Sequence, residues 1–273
     1  MTLAVLIPAA NEAGRIGPCL DAVLASTGIP AGARIVVAAN GCTDGTVDEA
    51  RDRAGRAAAS GWRLEVLDLP GLGKPGALNA AEEALGPHGG PRVYLDADVT
   101  VSAELMSQLA AALDRPGPAY ASGRLRMTAR GPAARAYAAT WARVPFMAEG
   151  VPGCGLYAVN AAGRARWGRF PDIIADDAFV RLNFAEHERI GVRASYDWPV
   201  VEGAAALLRV RRRQDAGVRE VAARFPGLMA NETGRRARAA PLAARAPLSF
   251  AFYAGIGLLS RVLPHRSTWS RGR

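Results

Sequence analysis

Short apolar runs alternate with helically spaced segments through the first hundred residues. Residues 3–7 form a strand-like run ending at Pro8, and residues 15–24 then place Ile16, Leu20, Val23 and Leu24 at helical spacing. Residues 34–38 make a second strand-like run, followed by a loop rich in Asn, Gly, Thr and Asp and a helix from about Thr46. Residues 62–67 alternate as a strand does, 76–85 read as a helix, 92–95 as a short strand and 103–113 as another helix. This alternation predicts βαβ units, and so an α/β fold with a mostly parallel sheet and helices on both faces. Polar residues collect where the strands end, at 8–12, 40–46 and 96–98. Ligands of such sheets sit beyond those carboxyl ends.

After Arg115-Pro116-Gly117-Pro118 the rhythm changes. Residues 119–122 and 124–128 look like strands, and 133–146 like a helix. Gly153-Cys154-Gly155 reads as a flexible loop before a strand at 156–159, and a further helix starts near Asp176. The remainder is arginine-rich and helical. The expected organisation is therefore one domain over 1–204, with halves at 1–115 and 116–204, and a helical basic extension over 205–273.

Charge sharpens that division. The chain carries 34 basic and 25 acidic residues, and every basic residue except Lys74 is an arginine. Residues 205–273 hold 14 basic and 3 acidic side chains, a net +11, which leaves 20 basic and 22 acidic, a net −2, in residues 1–204. A uniformly basic nucleic-acid binder is excluded, and the tail has no recognisable nucleic-acid module, so no nucleic-acid partner is expected. Cys19, Cys42 and Cys154 are widely spaced with no CxxC pair, and His88, His187 and His265 have no metal-ligand spacing. The start has no basic n-region and meets Asn11-Glu12 early, so a reducing cytoplasm is expected. The run 246–260 lies between Arg245 and Arg261. It is short of the roughly 20 residues a bilayer span needs, and suits a helix docked on the body or lying at a membrane surface.

Three places can carry chemistry. Asp96-Ala97-Asp98 follows a strand, where two hard carboxylates suit Mg²⁺ or Mn²⁺ shared with a diphosphate; the plainer reading is a solvated acidic turn. Gly71-Leu72-Gly73-Lys74-Pro75-Gly76-Ala77-Leu78-Asn79 joins glycines, one ammonium and a helix start, a setting for an anion, although it is no Walker loop. Asp176-Asp177 opens a helix, where carboxylates either cap the end or supply a general base. Adjacent carboxylates there do not face the same way, so one is expected to hold the loop while the other acts. The arginines of 209–213 make either a solvated face or an anion clamp.

Taken in order, Val5-Leu6-Ile7-Pro8-Ala9-Ala10-Asn11-Glu12, Asn40-Gly41-Cys42-Thr43-Asp44-Gly45-Thr46, Gly73-Lys74 with Ala77-Leu78-Asn79, Asp96-Ala97-Asp98 and Asp176-Asp177 resemble family 2 glycosyltransferases of the GT-A fold, over about residues 3–215. The resemblance implies an inverting, metal-dependent transfer of a sugar from a nucleoside-diphosphate sugar to an acceptor hydroxyl. It implies that Pro8, Ala9, Asn11 and Glu12 line the nucleoside pocket, and that Asn40 and Asp44 border the base. Lys74 and Asn79 would stand near the donor's phosphates or sugar, Asp96 on the ribose or metal side, and Asp98 on the divalent cation. Asp177 matches the base, with Asp176 in place of the usual Glu, and Gly153, Cys154 and Gly155 match the loop over donor sugar and acceptor. Arg212 and Arg213 stand where a basic motif follows the base, but the family's Gln-x-x-Arg-Trp pattern is absent. Ala39 replaces an aspartate that often contacts uracil, so GDP or another nucleotide is open beside UDP. The tail points to a lipid-linked acceptor reached through peripheral contact of 241–273 with the inner membrane face. A sugar nucleotidyltransferase would carry a G-x-G-T-R loop where Pro8-Ala9-Ala10-Asn11-Glu12 stands. A non-catalytic binding protein at a membrane surface has no need of both Asp98 and Asp177.

Overall fold

The computed structural model describes residues 2–232 and 239–262. The first half runs β1 (Ala4–Ala9), α1 (Ile16–Leu24), β2 (Arg34–Asn40), α2 (Thr46–Arg51), α3 (Ala54–Ala59), β3 (Arg63–Leu69), α4 (Gly73–Leu85) and β4 (Arg92–Leu95). The second continues β5 (Thr100–Val101), α5 (Leu105–Leu113), β6 (Tyr120–Thr128), α6 (Pro132–Trp141), α7 (Pro145–Ala148), β7 (Leu156–Val159), α8 (Ala161–Arg164), α9 (Asp176–Leu182) and β8 (Arg189–Pro199). The long α10 (Ala204–Arg224), α11 (Ala239–Arg245) and α12 (Pro247–Val262) follow. His265 and the basic residues beyond 262 lie outside the described residues.

One mixed, mostly parallel sheet has the order β3-β2-β1-β4-β7-β6-β8-β5. β3, β2, β1 and β4 run parallel, β7 is antiparallel to both β4 and β6, and β8 is parallel to β6. The chain steps outward from β1 to β2 and β3, then returns to place β4 on the other side of β1. The crevice at the ends of β1 and β4 is thus a switch point, where open α/β sheets bind ligands. Helices cover both faces because the inner strands are apolar on both sides. Val5, Ile7, Ile35 and Val37 pack with Ile16, Leu20 and Val23 of α1 and Leu105 and Leu109 of α5. On the other face Leu6, Val36 and Ala38 pack with Ala77, Leu78 and Ala81 of α4 and with Phe179, Val180 and Leu182 of α9.

The second half differs from its sequence reading in three respects. The two expected strands at 119–128 are one strand, β6, with a register shift against β8 between Ser122 and Arg124. Gly123 sits at that shift because an added Cβ would lie 2.9 Å from the Ala194 carbonyl oxygen. The expected helix over 133–146 ends at Trp141, since Pro145 cannot continue it and biases the preceding residue to extended backbone. β8 itself was not foreseen. Its Ile190, Val192, Ala194, Tyr196 and Trp198 do alternate and pack on one face, but the arginines and Gly191 between them mask the pattern.

α12 packs against the body through Phe252, Tyr253 and Ile256, which meet Tyr137 of α6 and Leu207 of α10. Ser260 donates to Asp215 Oδ2 at 2.9 Å. Its other side leaves Leu248, Leu258, Leu259 and Val262 exposed. Among the described residues no helix is long and apolar enough to cross a membrane.

Glu82 ties α4 into the fold. Its carboxylate accepts from Arg92 Nε at 3.2 Å and Arg164 Nε at 3.1 Å, and from the Tyr94 hydroxyl, all at low exposure. Truncation would strand two guanidinium groups in a poorly hydrated site. Glu82→Ala is therefore expected to cost about 3–5 kcal/mol, read as a lower urea midpoint, with Glu82→Gln losing less.

Candidate active site

Three elements deliver four charged side chains to the crevice. Asp96 leaves the end of β4, Lys74 stands in the first turn of α4, and Asp176 and Asp177 begin α9. Lys74 Nζ lies 2.9 Å from Asp96 Oδ1 and 3.2 Å from Asp176 Oδ1. The Asp176 side chain is only 4% exposed, against 32% for Lys74 and 34% for Asp96, so the bridge runs from the interior toward the opening. These four residues line one cleft with Pro8, Gly155 and Tyr157, enclosing about 220 Å³ that includes space open to solvent.

The bridge settles how the paired aspartates divide. The N-cap position is Ala175, and Asp177 Oδ1 accepts from the Ala178 amide in the first turn at 2.7 Å. Asp176 takes Lys74 and, at 3.4 Å, the Tyr157 hydroxyl. Both carboxylates nevertheless line the same cleft, which corrects the expectation that only one would face it. Burial is the main reason the Asp177 carboxyl is pushed up to about 6, with repulsion from Asp176 adding to it and Lys74 opposing it. Burial alone would lower the Lys74 ammonium, but Asp176, Asp96 and Asp177 outweigh it and hold the amine protonated well above its usual range.

The segment leading into α9 is braced from α10. Glu220 Oε2 accepts from the Ile174 amide at 2.9 Å. Gly217 permits the approach, since a Cβ there would lie 2.8 Å from Ala175 Cβ. The 153–155 loop is shaped by two glycines with φ of 68° and 73°, a region glycine enters without steric cost. The Tyr196 hydroxyl donates to the Cys154 carbonyl at 2.9 Å, and the Asp96 amide donates to the Gly155 carbonyl at 2.8 Å. Cys154 is buried, and burial pushes its thiol far up, so it is no nucleophile at neutral pH.

The other foreseen residues are distributed unevenly. Pro8 reaches the cleft, and Ala9 is buried beside it. Asn11 adopts φ 56° and its Oδ1 accepts from the Thr43 amide at 2.8 Å; the Glu12 amide donates to Thr46 Oγ1 at 2.8 Å. Asp44 accepts from Thr46 and from the Ala13 amide, and although burial opposes it these bonds hold its carboxyl below the usual value. Asn40 Oδ1 accepts from the Leu72 amide at 2.7 Å. These side chains therefore build the loops by lashing the ends of β1, β2 and β3 together. Asn79 is placed away from the cleft: it is buried and engages both the amide and the carbonyl of Phe170, at 2.7 and 3.0 Å. Arg212 and Arg213 lie on α10, and neither they nor Asp98, two residues past Asp96, line the cleft. Among the described residues no cluster of three or more His, Cys, Asp or Glu side chains is arranged to hold a metal. Tyr157, Tyr94, Leu78 and Leu95 were missed as lining residues because they read simply as core positions.

The chain matches glycosyl transferase family 2 over residues 4–167, more than half its length, and belongs to that family. Asp176 and Asp177 lie past the matched segment. Among solved structures it is similar to a mannosyltransferase from Pyrobaculum calidifontis in complex with GDP-Man and Mn²⁺, at 22% identity and TM-score 0.58, covering 96% of this chain and 76% of that one. It is also similar to an S. aureus TarS fragment in complex with UDP-GlcNAc, at 14% identity and TM-score 0.54, covering 78% and 65% of the two chains. A mannosyl-3-phosphoglycerate synthase from Rubrobacter xylanophilus aligns at 21% identity and TM-score 0.50, over 82% and 74%. These likenesses show the GT-A fold, and the protein is a glycosyltransferase by family. No curated protein matches the chain in sequence.

The buried Asp177 charge also has a stability consequence. Its carboxyl titrates higher when folded than its ordinary 3.8, so its contribution to stability is full below that value and is lost as pH rises through about 6. Asp177→Asn is expected to be more stable than the native chain at about pH 7.5, by about 1–2 kcal/mol after discounting partial exposure. That advantage should vanish below about pH 4 in thermal melts taken across pH.

Proposed function

We propose that this chain is an inverting glycosyltransferase that moves a sugar from a nucleoside-diphosphate sugar to an acceptor hydroxyl, with Asp177 as the general base. The observation that carries the reading is the division of the aspartate pair. Asp176 is neutralised by Lys74, while Asp177 faces the same cleft with its affinity for a proton raised toward neutrality. A carboxylate of that kind accepts a proton from an attacking hydroxyl better than an ordinary one does. A single displacement needs one base and forms no covalent intermediate, which leaves Asp176 and Asp96 to hold Lys74.

The nucleoside would lie over Pro8 and Ala9, between the loops that Asn11, Glu12, Asn40 and Asp44 hold together. Ala39 is buried at the end of β2 with no polar group to offer a base, so GDP and UDP donors are both compatible with this pocket. The residues present fit a divalent cation of the kind that completes its shell with diphosphate oxygens: two hard carboxylates at the end of β4 and, among the described residues, no protein cage. Asp96 already carries Lys74, so Asp98 is the carboxylate we assign to the cation. When bound, the cation stabilises charge growing on the leaving diphosphate. Lys74 adds a fixed ammonium at the same end of the cleft.

The acceptor side is assigned to a cytoplasmic membrane face. Leu248, Leu258, Leu259 and Val262 of α12 point away from the body, with Leu248 86% exposed, and Arg245 and Arg261 flank them. Apolar outward residues beside arginines suit a helix lying in the interface of an anionic bilayer. This reading favours a lipid-linked acceptor over a freely soluble one.

Asp177→Asn is expected to lower kcat about 10²–10⁴-fold while UDP- and GDP-sugars still shift the melting temperature. The acid limb of the native pH–rate profile should fall near 6, and EDTA should abolish turnover until Mn²⁺ is restored. Near-native turnover by the variant would refute the base. For the membrane, the chain should co-sediment with liposomes rich in phosphatidylserine, and Leu258→Glu with Leu259→Glu should abolish that while leaving the melting temperature unchanged. Equal sedimentation of both forms would remove the membrane contact.

A further inference from the structure

Trp198, the penultimate residue of β8, occupies a position that the reading above does not use. It pairs in register with Met127 of β6, at the carboxyl end of both strands. A Cβ added to Gly155 would lie 2.7 Å from Trp198 Cδ1, 3.0 Å from its Nε1 and 3.0 Å from Val99 Cγ2. The indole edge therefore rests on the backbone of the same glycine that lines the cleft, and it shares that contact with the residue following Asp98. Trp141 backs it edge-to-face, with ring centroids 5.4 Å apart at 62°. Tyr137 and Tyr253 extend the aromatic row to α12.

A tryptophan needed only for packing is usually sealed in, as Trp62 and Trp167 are at 3% and 9% exposure. Trp198 and Trp141 are both half-buried instead. Among the described residues the Trp198 indole N–H is neither sealed from solvent nor hydrogen-bonded. The site thus holds a half-buried indole with one unsatisfied donor at its edge, backed by a second tryptophan. A sugar ring has the matching chemistry: a face of C–H groups with hydroxyls around its rim.

The geometry points to Trp198, supported by Trp141, as a stacking platform for a pyranose ring of the acceptor. The inference rests on the transferase reading and adds to it the class of acceptor: a saccharide, or a saccharide carried on a lipid. Trp198 meets Gly155, which lines the cleft with Asp96 and Asp177, but does not line it itself, so the platform lies beside the cleft assigned to the donor's diphosphate end. A ring stacked there reaches toward the base without occupying the donor's place. The row from Trp198 to Tyr253 also puts the platform on the side of the molecule that carries α12.

Saturation-transfer NMR on the full chain tests this, with methyl pyranosides of glucose, mannose, galactose and N-acetylglucosamine as probes. At least one should give transfer signal with the native protein. Trp198→Ala should reduce it about tenfold, as should Trp198→Leu, which keeps apolar bulk in the strand but has no ring face. Trp198→Phe should keep most of it. The signal should persist at saturating UDP-glucose or GDP-mannose, whichever raises the melting temperature. Absence of signal from all four probes, or equal signal from Trp198→Leu, overturns the platform. Displacement of the glycoside by the nucleotide sugar assigns the ring to the donor and overturns the acceptor role. If no nucleotide sugar shifts the melting temperature, the transferase reading fails separately, whatever the glycoside signal shows.

Discussion

Lys74 stands between Asp96 and Asp176, with Asp177 beside them, and three carboxylates so close together in a partly desolvated crevice would repel one another without it. The ammonium joins the end of β4, the first turn of α4 and the start of α9 by contacts of 2.9 and 3.2 Å. Each of those elements owes its own position to something more distant. Glu82 clamps α4 to β4 and α8 through Arg92 and Arg164. Gly217 and Glu220 let α10 press against the segment that precedes Asp176. The cation is thus the point where two halves of the sheet and a C-terminal helix are brought to one site.

The sheet explains why the site has two unlike sides. Where β1 to β4 run parallel, the strand ends carry loops fastened to one another by asparagine side chains, as the Thr43 amide donates to Asn11 Oδ1 and the Leu72 amide to Asn40 Oδ1. Such loops make a fixed polar rim suited to a nucleotide. Past β4 the pairing turns antiparallel, and the neighbouring wall is built from Gly153, Gly155 and aromatic side chains. That wall carries more apolar groups, which suits a ring or a chain more than a phosphate.

Much of this was legible in the residue order. The alternation of apolar strands and amphipathic helices revealed the parallel half, and the polar clusters at 8–12, 40–46 and 96–98 marked its working edge. Lys74 stood out as the chain's single lysine, and Asp177 by its motif. Less was legible where local signals are weak. β8 hides its alternation among arginines, β6 is one strand across a glycine-made bulge, and Asn79 looks like part of a ligand loop yet serves the Phe170 backbone. Tyr157 and Trp198 had no local mark at all, since an aromatic residue in a strand reads the same whether it packs in the core or faces a ligand.

By itself, then, the sequence determined the fold class, the edge of the sheet where the charged cleft lies and the set of charged residues available there, because periodicity and turn chemistry act between near neighbours. The tertiary structure alone decided which of those charges meet. Lys74 and Asp176 are 102 positions apart, Gly155 and Trp198 are 43, and their closeness follows from strand order and from glycines that allow close approach. The different settings of Asp176 and Asp177 rest on that closeness too, because an ion pair of about 3 Å and the burial around it exist only once β4, α4 and α9 have packed.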